Sequence, residues 1–276
     1  MNRDRSGHRV ALAAAFMLAS LGAHATTVTG FDGAFTSNGN WYEADVRTGG
    51  GATVVNLTGV GGNLESAQPL ATGAAKLTTD LTNAAKAEVA VNDNYGQAGE
   101  ILRSLKLHYD FYRDNVAGGN AAAAPSLKLT FYNAAYTGDG FVSLVYEAYW
   151  QGSGNPASDA WTGVDIDFNH GLFWQNGGFG QANSAGGPPL NTLDGWLSAF
   201  DSGFGGADLV SVAMGVGTYN QGQNDYFDNV QISHSFGTGY SASYDFEAPA
   251  GSVPEPGSLA LAGLALAGLA AARRRR

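Results

Sequence analysis

Apolar and polar residues alternate with a period of two through most of the middle of the chain. The alternation is strict in Leu105-Lys106-Leu107-His108-Tyr109-Asp110-Phe111. It recurs in Leu127-Lys128-Leu129-Thr130-Phe131 and in Val164-Asp165-Ile166-Asp167-Phe168. Val210, Val212, Met214 and Val216 mark one side of a further run. Successive strand side chains point to opposite faces, so each run predicts a strand with one face in a core and one in water. Residues 141–150 are apolar on both faces apart from Ser143 and Glu147. That pattern predicts a central strand buried on both sides. Shorter runs at 41–47, 53–57, 76–81, 87–91, 226–233 and 242–246 bring the set to about ten strands. Turn signals such as Asn38-Gly39-Asn40, Gly138-Asp139-Gly140 and Gly237-Thr238-Gly239 separate the runs. A helical period is clearest at 190–200, where Leu193, Trp196, Leu197 and Phe200 share a face. Many strands, few helices and no dividing linker predict one all-β domain over residues 26–252. The expected form is an antiparallel β-sandwich of jelly-roll type.

The two ends of the chain break this pattern. Residues 1–9 carry Arg3, Arg5 and Arg9, residues 10–21 are almost continuously apolar, and Ala23-His24-Ala25 follows. A basic segment, a short apolar core and a small-x-small site are the signature of a secretion signal helix, cut by signal peptidase. Residues 1–25 are therefore expected to be removed, with Ala23 and Ala25 forming the cleavage site. At the other end, Val253-Pro254-Glu255-Pro256 precedes an apolar run at 259–272, and Arg273, Arg274, Arg275 and Arg276 close the chain. The run would span about 21 Å as a helix, short of the ~30 Å hydrocarbon core. Snorkelling arginines extend that reach, and the positive-inside rule keeps them cytoplasmic. The prolines separate this short transmembrane helix from the domain before it.

Residues 253–276 resemble the PEP-CTERM sorting signal of Gram-negative bacteria, with the motif, the apolar helix and the Arg cluster in order. The resemblance implies recognition of Pro254, Glu255 and Pro256 by exosortase, a membrane Cys transpeptidase. Arg273, Arg274, Arg275 and Arg276 would form the cytoplasmic stop. It also implies an exported protein, anchored in the membrane through its tail until processing. From there it would pass to the cell surface, outer envelope or matrix of an exopolysaccharide-producing, biofilm-forming bacterium.

Charge and composition narrow the function of the middle domain. The chain has 14 basic and 24 acidic residues. Setting aside the seven arginines of the two ends, with Asp4 and Glu255, leaves seven basic against 22 acidic residues. Such a surface repels nucleic acid and anionic lipid, and suits neutral sugars, cations or a basic partner. The chain has no cysteine, which excludes thiol chemistry and Cys-ligated zinc. No phosphate loop, dinucleotide fingerprint or nucleophile elbow is present. His108, His170 and His234 are isolated in sequence.

Tyr226-Phe227-Asp228-Asn229-Val230-Gln231-Ile232 resembles the closing strand of carbohydrate-binding or lectin-like jelly rolls. Gly30-Phe31-Asp32 and Trp41 sit near where such modules open. The resemblance implies a structural calcium ion held in part by Asp228. Alternation independently places Asp228 on the face of Val230 and Ile232, and so inside. A buried carboxylate must be paired, hydrogen-bonded or metal-bound, so backbone N–H groups are the other reading for Asp228. Asp32 and Asp245 are the further acids considered for the ion. Asp165 and Asp167 share a strand face, either as a solvated pair or as the acid and base of glycoside hydrolysis. Trp150, Trp161 and Trp174 lie beside Gly- and Asn-rich segments and are the candidate ligand-contacting residues. Residues 174–183 add Gln175, Asn176, Phe179, Gln181 and Asn183. Such aromatics either stack on sugar rings or fill the core. The expected role is non-enzymatic, a surface or matrix protein that binds polysaccharide. A glycan hydrolase or lyase, and a purely structural or adhesive domain, are the alternatives.

Overall fold

Strict alternation in the sequence becomes strict alternation in burial. In the strand Ser126–Tyr132, Leu127, Leu129 and Phe131 are fully buried, while Ser126, Lys128, Thr130 and Tyr132 keep contact with solvent. The structure is a computed structural model that describes residues 25–249, apart from 153 and 184–185. The signal helix with Ala23, the sorting motif, the short transmembrane helix and the Arg cluster all lie outside the described residues.

In chain order the strands are β1 (Thr26–Val28), β2 (Trp41–Glu43), β3 (Gly50–Asn56), β4 (Gly73–Thr79) and β5 (Ala87–Gln97). They continue with β6 (Lys106–Arg113), β7 (Ser126–Tyr132), β8 (Phe141–Tyr146), β9 (Trp161–Asp167) and β10 (Phe173–Gly177). The last three are β11 (Asp208–Val216), β12 (Asn224–His234) and β13 (Tyr240–Phe246). Short helices α1 (Gly62–Ser66), α2 (Ala98–Ile101) and α3 (Leu193–Ala199) lie between them. Thr192 caps α3 by accepting the Gly195 N–H, and Leu193 and Trp196 are its buried face.

Two sheets pack face to face. The first runs β1-β13-β12-β4-β3, with β6 on the other side of β12 and β9 beyond it. The second runs β10-β8-β7-β11-β5-β2. The strand pairings are antiparallel except that of β1 with β13. The result is a jelly-roll-like β-sandwich. Between the sheets, Trp41 packs against Phe227, Tyr244 and Phe246, and Phe131, Phe179, Phe200 and Phe204 form a second aromatic cluster. The core joins residues of both sheets into one cluster within residues 28–246.

Three expectations need correction. First, the run at 141–150 is an interior strand, between β10 and β7, only over its first part. Strand β8 ends at Tyr146, and Ala148–Gln151 forms a 3-10 turn. The apolar residues after Tyr146, Ala148, Tyr149 and Trp150, leave the sheet. Second, Val210 does not join Val212, Met214 and Val216 in the core. A register shift between Leu209 and Ser211 gives that place to Leu209, which is fully buried.

Third, Asp228 does not share a face with Val230 and Ile232. Asn229 has φ of 53°, and the β12–β6 register shifts between Asp228 and Gln231. Phe227, Val230 and Ile232 therefore face the core, and Asp228 lies opposite Asp110 on the outer side. It is buried nonetheless, because β12 changes neighbours there. Residues 224–227 pair with β4 and residues 230–234 with β13. Asp228 lies between these two ladders.

Candidate ligand-binding groove

The outer face of the second sheet carries a groove of about 610 Å³. Strand register sets its floor. One row crosses from Trp174 on β10 through Val145 and Lys128 to Ala213 and Ala90. The next joins Ser126, Gly215 and Glu88. The small residues Ala90, Ala213 and Gly215 keep the middle of the face low. A Cβ on Gly215 would meet the Ala87 carbonyl oxygen and the Glu88 Cβ at 3.1 Å.

The 3-10 turn Ala148–Gln151 raises one wall. Gln151 staples this turn to the residue before β10. Its Nε2 donates to the Glu147 and Leu172 carbonyls at 2.9 and 3.0 Å, and its Oε1 accepts the Leu172 N–H at 2.9 Å. Gly152, at φ of 83°, ends the turn in the left-handed conformation. Tyr149 and Trp150 thereby project beside Trp174. The half-buried Glu147 organises them. Its carboxylate accepts the Trp150 indole N–H at 2.9 Å. The Trp174 Nε1 makes no hydrogen bond of good geometry, yet it lies close enough to favour the charged carboxylate. Burial outweighs both indoles and raises the Glu147 pKa.

Tyr219 forms part of the opposite rim. It is 68% exposed and holds a φ of 66°, a conformation rare for a bulky side chain. Its N–H donates to Asn83 O at 3.1 Å, and Asn120 Nδ2 donates to its carbonyl at 3.3 Å. The loop is thus pinned in a strained form that holds an aromatic ring in solvent.

A charge ladder runs beside the floor in the order Arg47, Asp45, Lys86, Glu88, Lys128. Arg47 donates to Asp45 through Nε at 2.9 Å and through Nη2 at 2.7 Å. Lys86 reaches Asp45 at 2.9 Å and Glu88 at 3.1 Å. Lys128 closes on the other Glu88 oxygen. Arg47, and then Lys86 against the opposing effect of burial, hold the Asp45 carboxyl well below the usual carboxylate range.

Of the sequence candidates, Trp150 and Trp174 line this groove, with Asn176 and Asn183. Trp161 does not. It sits on the outer side of the first sheet against Tyr112, with its Nε1 donating to Leu64 O at 3.0 Å. The segment 174–183 also divides. Gln175 and Phe179 are buried in the interior. Trp196 is core, its indole donating to Phe173 O at 2.9 Å. Tyr219 and Glu147 were not singled out from sequence. Tyr219 carried the signal used for the tryptophans, an aromatic within a Gly- and Asn-rich loop. Glu147 carried none beyond being polar in an apolar run.

The carboxylates on the first sheet are occupied in other ways. Asp165 and Asp110 flank His108 at 2.8 and 3.1 Å. Burial opposes the charged imidazole, but these two acids raise its pKa overall. Asp167 accepts the Asn169 and His170 N–H groups, with its pKa lowered to about 2 by Asn169 first and His170 next. Asp228 Oδ1 accepts the Phe246 N–H at 3.0 Å, which fits the backbone-bonded reading. Its Oδ2 and the Asp245 Oδ1 are buried without a partner. Burial pushes the Asp228 pKa up to about 8 against the opposing pull of the Phe246 and Asn229 N–H groups, with Asp245 and Glu247 adding like charge. Calcium takes six to eight oxygen ligands. Among the described residues, no three His, Asp or Glu side chains converge as a metal-ligand set. The side chains alone thus supply only a minority of the oxygens an ion would need.

Residues 252–276 match the PEP-CTERM protein-sorting motif. Pro254, Glu255, Pro256 and Arg273 to Arg276 all fall within the match. The motif marks an exported protein, anchored transiently in the membrane and sorted by exosortase to the cell surface. Among the described residues, no helix is long and apolar enough to cross a membrane. No curated protein sequence matches the chain. Solved structures similar to the domain include a family 11 carbohydrate-binding module from Clostridium thermocellum in complex with a β-1,3-1,4-mixed-linked tetrasaccharide. It has 14% identity over 74% of this chain and 94% of the other, with a TM-score of 0.37. Another is an endo-β-1,4-glucuronan lyase from the fungus Trichoderma reesei, with 12% identity over 72% and 96% and a TM-score of 0.37.

Proposed function

We propose that the domain binds polysaccharide in the groove of the second sheet, as a non-catalytic part of the cell-surface or exopolysaccharide layer to which its tail directs it. The observation that carries this reading is the aromatic framing of the groove. Trp150 and Trp174 lean on one carboxylate along one wall, and Tyr219 is held in a strained backbone on the rim. Flat rings offer the apolar faces of sugars a stacking surface, and the nearby Asn176 and Asn220 offer hydrogen bonds to hydroxyls. Rings fixed before binding reduce the ordering cost. The carboxylates favour binding over glycoside hydrolysis. Glu147 follows β8 and Glu88 lies on β5, three strands away, and the Glu147 carboxylate is engaged by the Trp150 indole. Both Glu88 oxygens are also taken by lysines.

The test is binding of the purified full-length protein to a panel of polysaccharides, with reducing ends and unsaturated products assayed in the same tubes. Saturable binding without product supports the reading. Product release makes the domain a hydrolase or lyase, and no binding leaves a structural or adhesive role.

A separate proposal concerns calcium. The two unpartnered oxygens, Asp228 Oδ2 and Asp245 Oδ1, would be its side-chain ligands, with backbone carbonyls and water completing the shell. A calcium-dependent rise in melting temperature, absent in Asp228→Asn, supports it; equal melting with calcium and with chelator excludes it.

A further inference from the structure

The described domain is strongly acidic, but its cations are not evenly spread. Of the seven basic residues in 26–252, Arg47, Lys86 and Lys128 all line the groove. They share two carboxylates. Asp45 lies between Arg47 and Lys86, and Glu88 between Lys86 and Lys128. The ladder by itself holds one positive charge in excess; Glu147, the other acid of the groove, directs its carboxylate to the Trp150 indole.

Lys128 is the end of the ladder nearest the aromatic wall. It projects from the same floor row as Trp174 and Val145. Among the described residues its Nζ bonds Glu88 alone, which leaves two of the three ammonium donors free. Its side chain is 25% exposed, so an incoming anion meets a partly desolvated cation, where a charge-assisted bond is stronger than in water. Glu88 keeps its second cation, Lys86, when Lys128 turns to a ligand.

We propose that the groove selects acidic polysaccharide, with a uronate-type carboxylate seated on Lys128 and the adjoining sugar faces on Trp150 and Tyr219. This rests on the polysaccharide-binding reading above and adds the class of ligand. A neutral glycan would use the rings and amides but leave the free Lys128 donors without an anionic partner. A polyanion without sugar rings would use Lys128 but not the aromatics.

The experiment compares polygalacturonate, alginate and glucuronan with their carboxyl-reduced, neutral forms, and with polyglutamate. Calorimetry is run on the full-length protein, on Lys128→Gln and on Lys128→Arg. At least one uronan is expected to bind about tenfold more tightly than its reduced form. Lys128→Gln should remove that preference while keeping affinity for the reduced form, and Lys128→Arg should retain most of it. Near-ultraviolet circular dichroism confirms that each variant is folded. Equal affinity for charged and reduced glycans overturns the acidic preference and leaves polysaccharide binding standing. Polyglutamate binding as tightly as the uronans overturns it too, since the sugar is then not read. If no glycan of either kind binds, the underlying reading falls with it.

Discussion

Trp150 donates its indole N–H to the Glu147 carboxylate across 2.9 Å, only three residues away along the chain. This local bond fixes the wall of the groove, because Glu147 is the first residue past β8 and Trp150 lies in the turn that follows. Replacing Glu147 with Leu leaves the Trp150 N–H without its acceptor and takes a counterpart from Trp174. A cost of about 1–3 kcal/mol in urea denaturation is expected, with a changed tryptophan emission. Glu147→Gln keeps an acceptor oxygen and should cost clearly less.

Tyr219 opposes stability and function at one position. Tyr219→Gly removes a left-handed conformation that disfavours side chains, so it should stabilise the fold by about 1 kcal/mol. The same change removes a rim ring and should weaken polysaccharide binding. Tyr219→Ala should lose affinity without the gain in stability. Denaturation midpoints and titrations on both variants separate the two effects.

Trp161 serves as the control. It lies outside the groove, and its ring and N–H hold Tyr112 and Leu64. Trp161→Phe should destabilise by about 1 kcal/mol through the lost hydrogen bond, and leave glycan affinity within twofold.

Asp228 makes stability depend on pH. Its folded pKa, about 8, lies above the ordinary carboxylate value of 3.8. Between these values the folded state holds a proton that the unfolded state has released. The stability linked to Asp228 is thus complete below about pH 4 and declines as pH rises towards 8, by up to about 1.4 kcal/mol per unit. His108, also raised, adds a loss of the same sign above its ordinary range. In calcium-free buffer, Asp228→Asn should flatten part of this decline between pH 5 and 8. Melting temperatures across that range check it; an unchanged slope would count against the buried, protonated carboxylate.

Much of the fold is legible in the sequence, for a physical reason. Strands such as β6, β7 and β9 bury one face, and burial enforces a period of two that any reader of the chain can count. The pattern fails where a strand is short, or where an extra residue shifts the period. Strand β10 went unrecognised because Phe173-Trp174-Gln175-Asn176-Gly177 buries Gln175 and exposes Asn176, so polarity does not alternate. Alternation predicts a buried Asp228 but puts it on the wrong face, because the left-handed Asn229 resets the alternation between Phe227 and Val230.

The groove is legible in part. Its tryptophans announce themselves by standing beside Gly- and Asn-rich segments, but so does Trp161, which the fold sends elsewhere. The ladder from Arg47 to Lys128 could not be read at all. Its members are spread over residues 45–128 and meet through the pairing of β2 with β5, continued by the Asp45 and Arg47 N–H bonds to Glu88 and Lys86, and through that of β5, β11 and β7.

Calorimetric titration of one polysaccharide into wild type, Trp150→Ala and Trp161→Phe tests the central claim most directly. The account predicts saturable binding by wild type and Trp161→Phe, and a loss of about tenfold or more in Trp150→Ala. Binding that Trp150→Ala leaves unchanged, or no binding by the wild-type protein to any polysaccharide, would contradict it.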